Sequence, residues 1–242
     1  MPGLLHSARF IKRGINALRG RALWQQVQMH CDHAYFGNDR AGWTICPNSL
    51  SPESVVYSFG VGEDISFDLE LIKRFGLRVY AFDPTPKSIE WVNNQALPVE
   101  FKFSPCGVAD YDGICKFLPP VNSEHVSYTA LNRQTPWPAI EAPVRRLKTI
   151  MRDLGHDKIN LVKMDIEGAE YSVLADLVAS QIRVDQLLVE FHHRFPEVGV
   201  DKTKSAIKAL NAAGYRIFSV SPSGEEVGFL PLDNSSKSES GR

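Results

Sequence analysis

The chain has 242 residues, 43% of them hydrophobic, and a formal net charge of −1. That length and apolar content fit one α/β domain with a full core. The near-neutral balance excludes a molecule that holds polyanions through its overall charge. Four cysteines (Cys31, Cys46, Cys106 and Cys115) form no CxxC pair, which predicts reduced thiols and a cytoplasmic protein. No apolar run approaches the roughly 18 to 20 residues that span a bilayer.

In chain order, Leu4, Ala8, Ile11, Ile15, Leu18 and Ala22 recur at steps of three and four and mark one face of a helix. Its other face is basic. Residues 1–24 hold five Lys or Arg and no acid, which leaves −6 for the remainder. The plain use of such a helix is packing on the domain. The sharper one is contact with a membrane surface or a second copy of the chain. The segment lacks the apolar core of a signal peptide. Residues 1–50 are therefore read as an N-terminal helical arm and cap. Within them, His30, Cys31, His33 and Cys46 have no regular zinc spacing and are expected to be ordinary helix and loop residues.

From Val55 the pattern alternates. Val55–Phe59, Leu77–Phe82, Val99–Phe103, Ile159–Met164 and Gln186–Phe191 read as strands. Phe67–Phe75, Pro86–Gln95, Leu147–Leu154, Glu167–Ala179 and Asp201–Ala213 read as helices, the last with Asp201 as its N-cap and Gly214 as its stop. Residues 106–118 read as a hairpin turning at Asp112-Gly113. Residues 119–143 contain five prolines and read as a long loop, a functional lid or a disordered stretch. Tyr215–Val220 and Val227–Leu230 are joined by a short turn through Pro222-Ser223-Gly224 and must be antiparallel. The strand–helix alternation before them implies a parallel sheet. The domain thus covers residues 51–232, and the Ser-rich stretch 233–242 is expected to be a disordered tail.

Two strand ends carry chemistry. Gly60-Val61-Gly62 follows the first strand and lets backbone approach a ligand closely. The full GxGxxG pattern is absent, since Ile65 holds the third glycine position. Glu63 and Asp64 make that turn hostile to phosphates and tolerant of a cation. Asp83 ends the second strand 23 residues after Gly60, an offset at which an acid accepts ribose hydroxyls. The plain alternative is a cap for the next helix, and its occurrence together with Gly60 and Gly62 favours the ribose role. Further along, Lys163-Met164-Asp165-Ile166-Glu167-Gly168-Ala169-Glu170 leaves the fourth strand in an acidic turn.

Residues 41–191 resemble the FkbM-type S-adenosylmethionine-dependent methyltransferases. The resemblance rests on Ser58–Asp64, Val79–Pro84, Gly107–Asp110, Lys163–Glu170 and Val189–His192. It implies an α/β, Rossmann-like class I methyltransferase fold, with a seven-stranded, mostly parallel sheet and an antiparallel C-terminal hairpin. It also implies S-adenosylmethionine as cofactor and O-methylation of a hydroxyl on a sugar or small natural-product-like acceptor. In that frame Gly60 and Gly62 approach the methionine moiety, and Asp83 holds the ribose. Residues Ser104–Val108, with Cys106 and Gly107 at their centre, lie near the adenine. Ser58 stands where many methyltransferases have an acid, so Glu63 or Asp64 would hold the cofactor amine.

O-methylation needs a base or a metal because an alcohol is a poor nucleophile at neutral pH. Asp165, Glu190, His192 and His193 sit at the ends of neighbouring strands, with Glu190 and His192 on one face. His192 has the ordinary pKa of a general base. Asp165 and Glu190, with an imidazole, are also candidate ligands for Mg²⁺ or Mn²⁺. The structural alternative makes Asp165 a helix cap and Lys163 a counter-ion of the pair. Tyr35, Phe36, Trp43, Tyr128 and Trp137 are candidates for an acceptor pocket. No basic-aromatic stripe supports nucleic-acid binding. Two other functions use the same strands: an NAD-dependent oxidoreductase, and a non-catalytic interaction module that keeps the fold.

Overall fold

The computed structural model describes residues 23–120, 127–131 and 134–232. The basic N-terminal helix and the Ser-rich tail expected above lie outside those residues. A hairpin comes first, β1 (Ala34–Phe36) and β2 (Trp43–Ile45), followed by β3 (Val55–Phe59), α1 (Ser66–Phe75), β4 (Arg78–Phe82), α2 (Pro86–Asn93) and β5 (Phe101–Ser104). Then come β6 (Gly107–Ala109), β7 (Gly113–Phe117), β8 (Ile140–Arg146), α3 (Leu147–Leu154), β9 (Ile159–Met164) and α4 (Glu170–Ala179). The chain closes with β10 (Val184–Glu190), α5 (Gly199–Ala212), β11 (Tyr215–Val220) and β12 (Glu226–Pro231).

Seven strands form the main sheet in the order β11-β12-β10-β9-β3-β4-β5. The five strands from β10 to β5 are parallel to one another, and β12 lies antiparallel between β10 and β11. The expected closing hairpin is therefore present, with its second strand inserted inside the sheet. Helices on both faces explain why the central strands read as continuous apolar runs. The two-residue period of a strand splits their side chains between two cores. Tyr57, Phe59, Val162, Met164, Leu187 and Val189 pack with α3, α4 and α5. Val56, Val79, Ala81, Leu161 and Leu188 pack with α1 and the β1–β2 hairpin. At roughly 25 cal/mol per Å² of apolar surface buried, these two layers are the main force holding the sheet. Among the described residues no helix is long and apolar enough to cross a membrane.

Three expectations are corrected. Residues 106–118 are not a hairpin, because β8 runs between β6 and β7, parallel to the first and antiparallel to the second. The supposed loop 119–143 therefore ends in a strand. Helix α5 begins at Gly199 with no side-chain cap, and Asp201 falls inside its first turn, paired with Lys204 at 3.0 Å. Finally, Cys31 and Cys46 are joined by a disulfide rather than free. They flank the β1–β2 hairpin, whose pairing sets Ala34 opposite Ile45 and so brings the two thiols together. Disulfides persist in oxidising compartments, so the cytoplasmic expectation is not carried forward. The same bond removes both cysteines from any zinc cluster, and the His33 ring instead meets the Cys31 carbonyl at 3.0 Å.

Candidate active site

Strand β3 sits where the order reverses, with β9 on one side and β4 on the other. A crevice forms beyond the carboxyl ends of strands at such a point. Here it is a cleft of about 1170 Å³ including its open mouth, walled by the ends of β3, β4, β9 and β10.

One half of the cleft is the glycine turn. Gly60 and Gly62 have φ of 84° and 58°, the left-handed region that favours glycine. Gly60 has a second reason to lack a side chain, because a Cβ there would lie 1.7 Å from the carbonyl oxygen of Asp165. Asp83 fixes the turn from below. One of its oxygens accepts the N–H groups of Val61 and Gly62 at 2.9 and 3.0 Å. The other accepts the backbone N–H and hydroxyl of Thr85 at 2.9 and 2.6 Å. A carboxylate offers about four lone-pair sites, so all four are in use. Asp83 lines the cleft as expected, but it first serves the protein's own backbone.

Glu63 and Asp64 also line this half. Glu63 pairs with Lys87 at 3.6 Å. Burial pushes the Asp64 carboxyl up, but hydrogen bonds from Asn38 and Ser66 prevail and hold it below the ordinary range. Beside them Asp68 is buried in the first turn of α1, and burial raises its pKa against the opposing charge of Lys163. Lys163 is not the counter-ion of Asp165 and Glu190. Its ammonium donates to the Gly60 carbonyl and lies 5.8 Å from the centre of the Trp43 ring. Gly107 and Val108 border the cleft, whereas Cys106 does not.

The other half is acidic. Asp165, Glu167 and Glu190 line it, and His192 stands behind them with no exposed surface. The His192 Nε2 atom lies 3.7 Å from Asp165, 3.4 Å from Glu167 and 3.7 Å from Glu190. Its other ring nitrogen meets Glu170, a carboxylate with no exposed surface, at 3.3 Å. Glu170 also accepts the N–H groups of His192 and Gly168, both at 2.8 Å. Burial pushes the His192 pKa down, but the hydrogen bond and charge of Glu170, with Asp165 and Glu190, carry it up to about 9. The acids around it favour the charged ring, and its burial keeps it off the cleft wall. Burial and the charge of Asp165 push Glu190 up to about 8. His193 is buried and does not line the cleft.

Residues 127–131 close over this half. Thr129 pairs with Leu118 in an isolated bridge, and its hydroxyl donates to the Glu167 carbonyl at 2.5 Å. Glu167 has φ of 51° and Gly168 of 99°, and Leu131 fills the space a Gly168 Cβ would need. Of the aromatic candidates, Trp43 and Tyr128 line the cleft. Phe36 is in the core, while Tyr35 and Trp137 are exposed. Glu167, Glu170 and Asp68 carry no role in the sequence reading. Their only signal was the density of acids in Lys163–Glu170 and a charged residue on the inward face of α1.

A glycine turn, an acid at the end of β4 and an antiparallel last strand set second from the edge of a seven-stranded sheet define the class I methyltransferase fold. A family model described as "Methyltransferase FkbM domain" matches residues 54–217. The chain belongs to this FkbM methyltransferase family. It is 25% identical over 181 residues to human "Probable methyltransferase-like protein 24", covering 67% of this chain and 41% of that one. It is 29% identical over 126 residues to the rat protein of the same name, covering 43% of this chain and 35% of that one. The chain thus spans well under half the length of these curated relatives. Among solved structures, fibrillarin of Aeropyrum pernix, described with bound S-adenosyl-L-methionine, has 10% identity and a TM-score of 0.42, with 88% of this chain and 86% of that one covered. Precorrin-6y C5,15-methyltransferase of Geobacter metallireducens has 10% identity and a TM-score of 0.42, with 74% and 80% covered.

Proposed function

We propose that this protein transfers a methyl group from S-adenosylmethionine to a hydroxyl of a small-molecule or saccharide acceptor. The observation that carries the reading is a single cleft with a glycine turn at one end and the carboxylates Asp165, Glu167 and Glu190 at the other. The bound cofactor supplies a methyl group on a sulfonium, already a strong electrophile. Family membership supports that cofactor, and the side chains fit it. Gly60 and Gly62 leave room for the methionine backbone. Glu63, Asp64 and Asp68 offer negative charge to its ammonium, and Val108 with Phe82 and Phe117 offers apolar wall to the adenine. Asp83 reaches a ribose hydroxyl by releasing one of its present donors, of which the Thr85 hydroxyl is the easiest to replace.

The glycine turn and Val108 would hold the cofactor so that its methyl group passes to the acceptor oxygen, with S-adenosylhomocysteine and a methyl ether formed and one proton released. Holding the two reactants in line accounts for much of the acceleration. The proton passes to the Asp165 carboxylate, which faces the cleft beside Glu190. His192 stands behind them and orients the group rather than meeting the acceptor.

The open cleft speaks against a non-catalytic module, and the family speaks against an NAD-dependent oxidoreductase. The test is incubation with cofactor labelled in its methyl group and a panel of polyhydroxylated acceptors, read by mass spectrometry. Label in methyl ethers supports the reading. Label confined to amines or thiols contradicts it.

A further inference from the structure

We propose that Asp165, Glu190 and His192, with Glu167 beside them, form a divalent-cation site suited to Mn²⁺ or Mg²⁺. The inference deepens the proposed function by naming what holds the acceptor hydroxyl at the acidic end of the cleft. One ligand atom from each of Asp165, Glu190 and His192 falls within 4.8 Å of the others.

An acidic cluster alone is weak ground, because such groups are common on protein surfaces. The second observation is His192. Its side chain is fully buried, and Nε2 has no hydrogen-bond partner. The carboxylate oxygens of Asp165, Glu167 and Glu190 stand 3.4 to 3.7 Å from that nitrogen. Those separations are beyond a normal hydrogen bond. They lie just outside the spacing of ligands sharing one ion, since atoms each bonded at about 2.1 Å to the same cation lie about 3.0 to 3.4 Å apart. Coordination would draw the carboxylates inward from their present spread of up to 4.8 Å.

The orientation of the ring is fixed from behind. Glu170 accepts the Nδ1–H, so a cation that displaces the Nε2 proton would meet that nitrogen's lone pair among the three carboxylates. A carboxylate that holds the far nitrogen of a histidine is the usual outer support of a metal site. Arg194 meets Glu190 at 3.3 Å and Glu225 at 2.8 Å. It neutralises the outer side of Glu190 and does not reach Nε2. Hard oxygen donors with one imidazole suit Mg²⁺ or Mn²⁺, and the absence of thiolate disfavours sites of the structural zinc type. A cation there would bind the acceptor oxygen and lower the pKa of its hydroxyl.

The test is titration of the purified protein with MnCl₂ alone, followed by electron paramagnetic resonance, on the wild type, Asp165→Asn and Glu190→Gln. The expected result is one Mn²⁺ per chain in the wild type and affinity at least about tenfold weaker in each variant, with Mg²⁺ competing. Asp165 is partly exposed, so its variant should fold even if the Glu190 variant does not. A wild type without a stoichiometric site overturns the proposal, as does equal affinity in a folded variant. No cofactor is added, so failure here is separate from failure of the methyltransferase reading, which rests on binding of S-adenosylhomocysteine.

Discussion

Glu170 accepts both the backbone N–H of His192, at 2.8 Å, and its ring Nδ1–H, at 3.3 Å, on the same carboxylate oxygen. One buried acid in the first turn of α4 therefore sets where the end of β10 stops and which way its imidazole faces. Its other oxygen takes the Gly168 N–H, so the acidic turn after β9 and the end of β10 share one support.

From this follows the expectation for Glu170→Gln. The ring loses its ionic acceptor and its fixed tautomer, and turnover should fall about 10- to 100-fold. Binding of S-adenosylhomocysteine should stay within about twofold, because the glycine turn is untouched. Calorimetry beside steady-state kinetics separates the two. A merely structural role would lower both together.

Gly60→Ala should be severe. The added carbon would sit 1.7 Å from the Asp165 carbonyl oxygen, and φ is 84°. Backbone strain and overpacking together predict a loss of about 2 to 4 kcal/mol, read as a lowered midpoint in urea. An unchanged midpoint would show that β3 and β9 are not packed as described.

Asp83→Asn leaves the four donors around it with fewer acceptors and sets an amide N–H₂ against N–H groups. A buried donor left unpaired costs about 1 to 3 kcal/mol. The glycine turn should loosen, and affinity for S-adenosylhomocysteine should fall about tenfold or more. Calorimetric titration measures it, and wild-type affinity would remove Asp83 from the cofactor site.

The Cys31–Cys46 bond closes a loop with a sequence separation of 15. A loop of that size contributes about 3 kcal/mol on the chain-entropy model. Thermal melting with and without dithiothreitol should show lower stability when reduced, and the Cys31→Ser variant should melt like the reduced protein and ignore the reductant. Identical melts in both conditions would argue against the bond.

Much of the site was legible because adjacent parallel strands must end together. Once Ile159–Met164 and Val184–Glu190 are neighbours, Asp165, Glu190 and His192 have to converge. Glu170 was not legible, since it turns back toward β10 only through the left-handed pair Glu167 and Gly168, which no periodicity reveals. His192 drew attention for its ordinary pKa, and burial among acids changed that property. Strand β8 was missed because Pro143 interrupts it. Proline is tolerated there since Pro143 pairs only with Ile114 of β7, while β6 begins its pairing one residue later at Val144. The disulfide escaped notice because the strands that align its cysteines are three residues each, too short to read from pattern.

The most direct test of the account is calorimetric titration of the purified protein with S-adenosylhomocysteine, with NAD as a parallel ligand. The account predicts one site of micromolar affinity for S-adenosylhomocysteine, weakened by Asp83→Asn, and no heat from NAD. A folded protein that binds NAD instead, or binds neither, would contradict it.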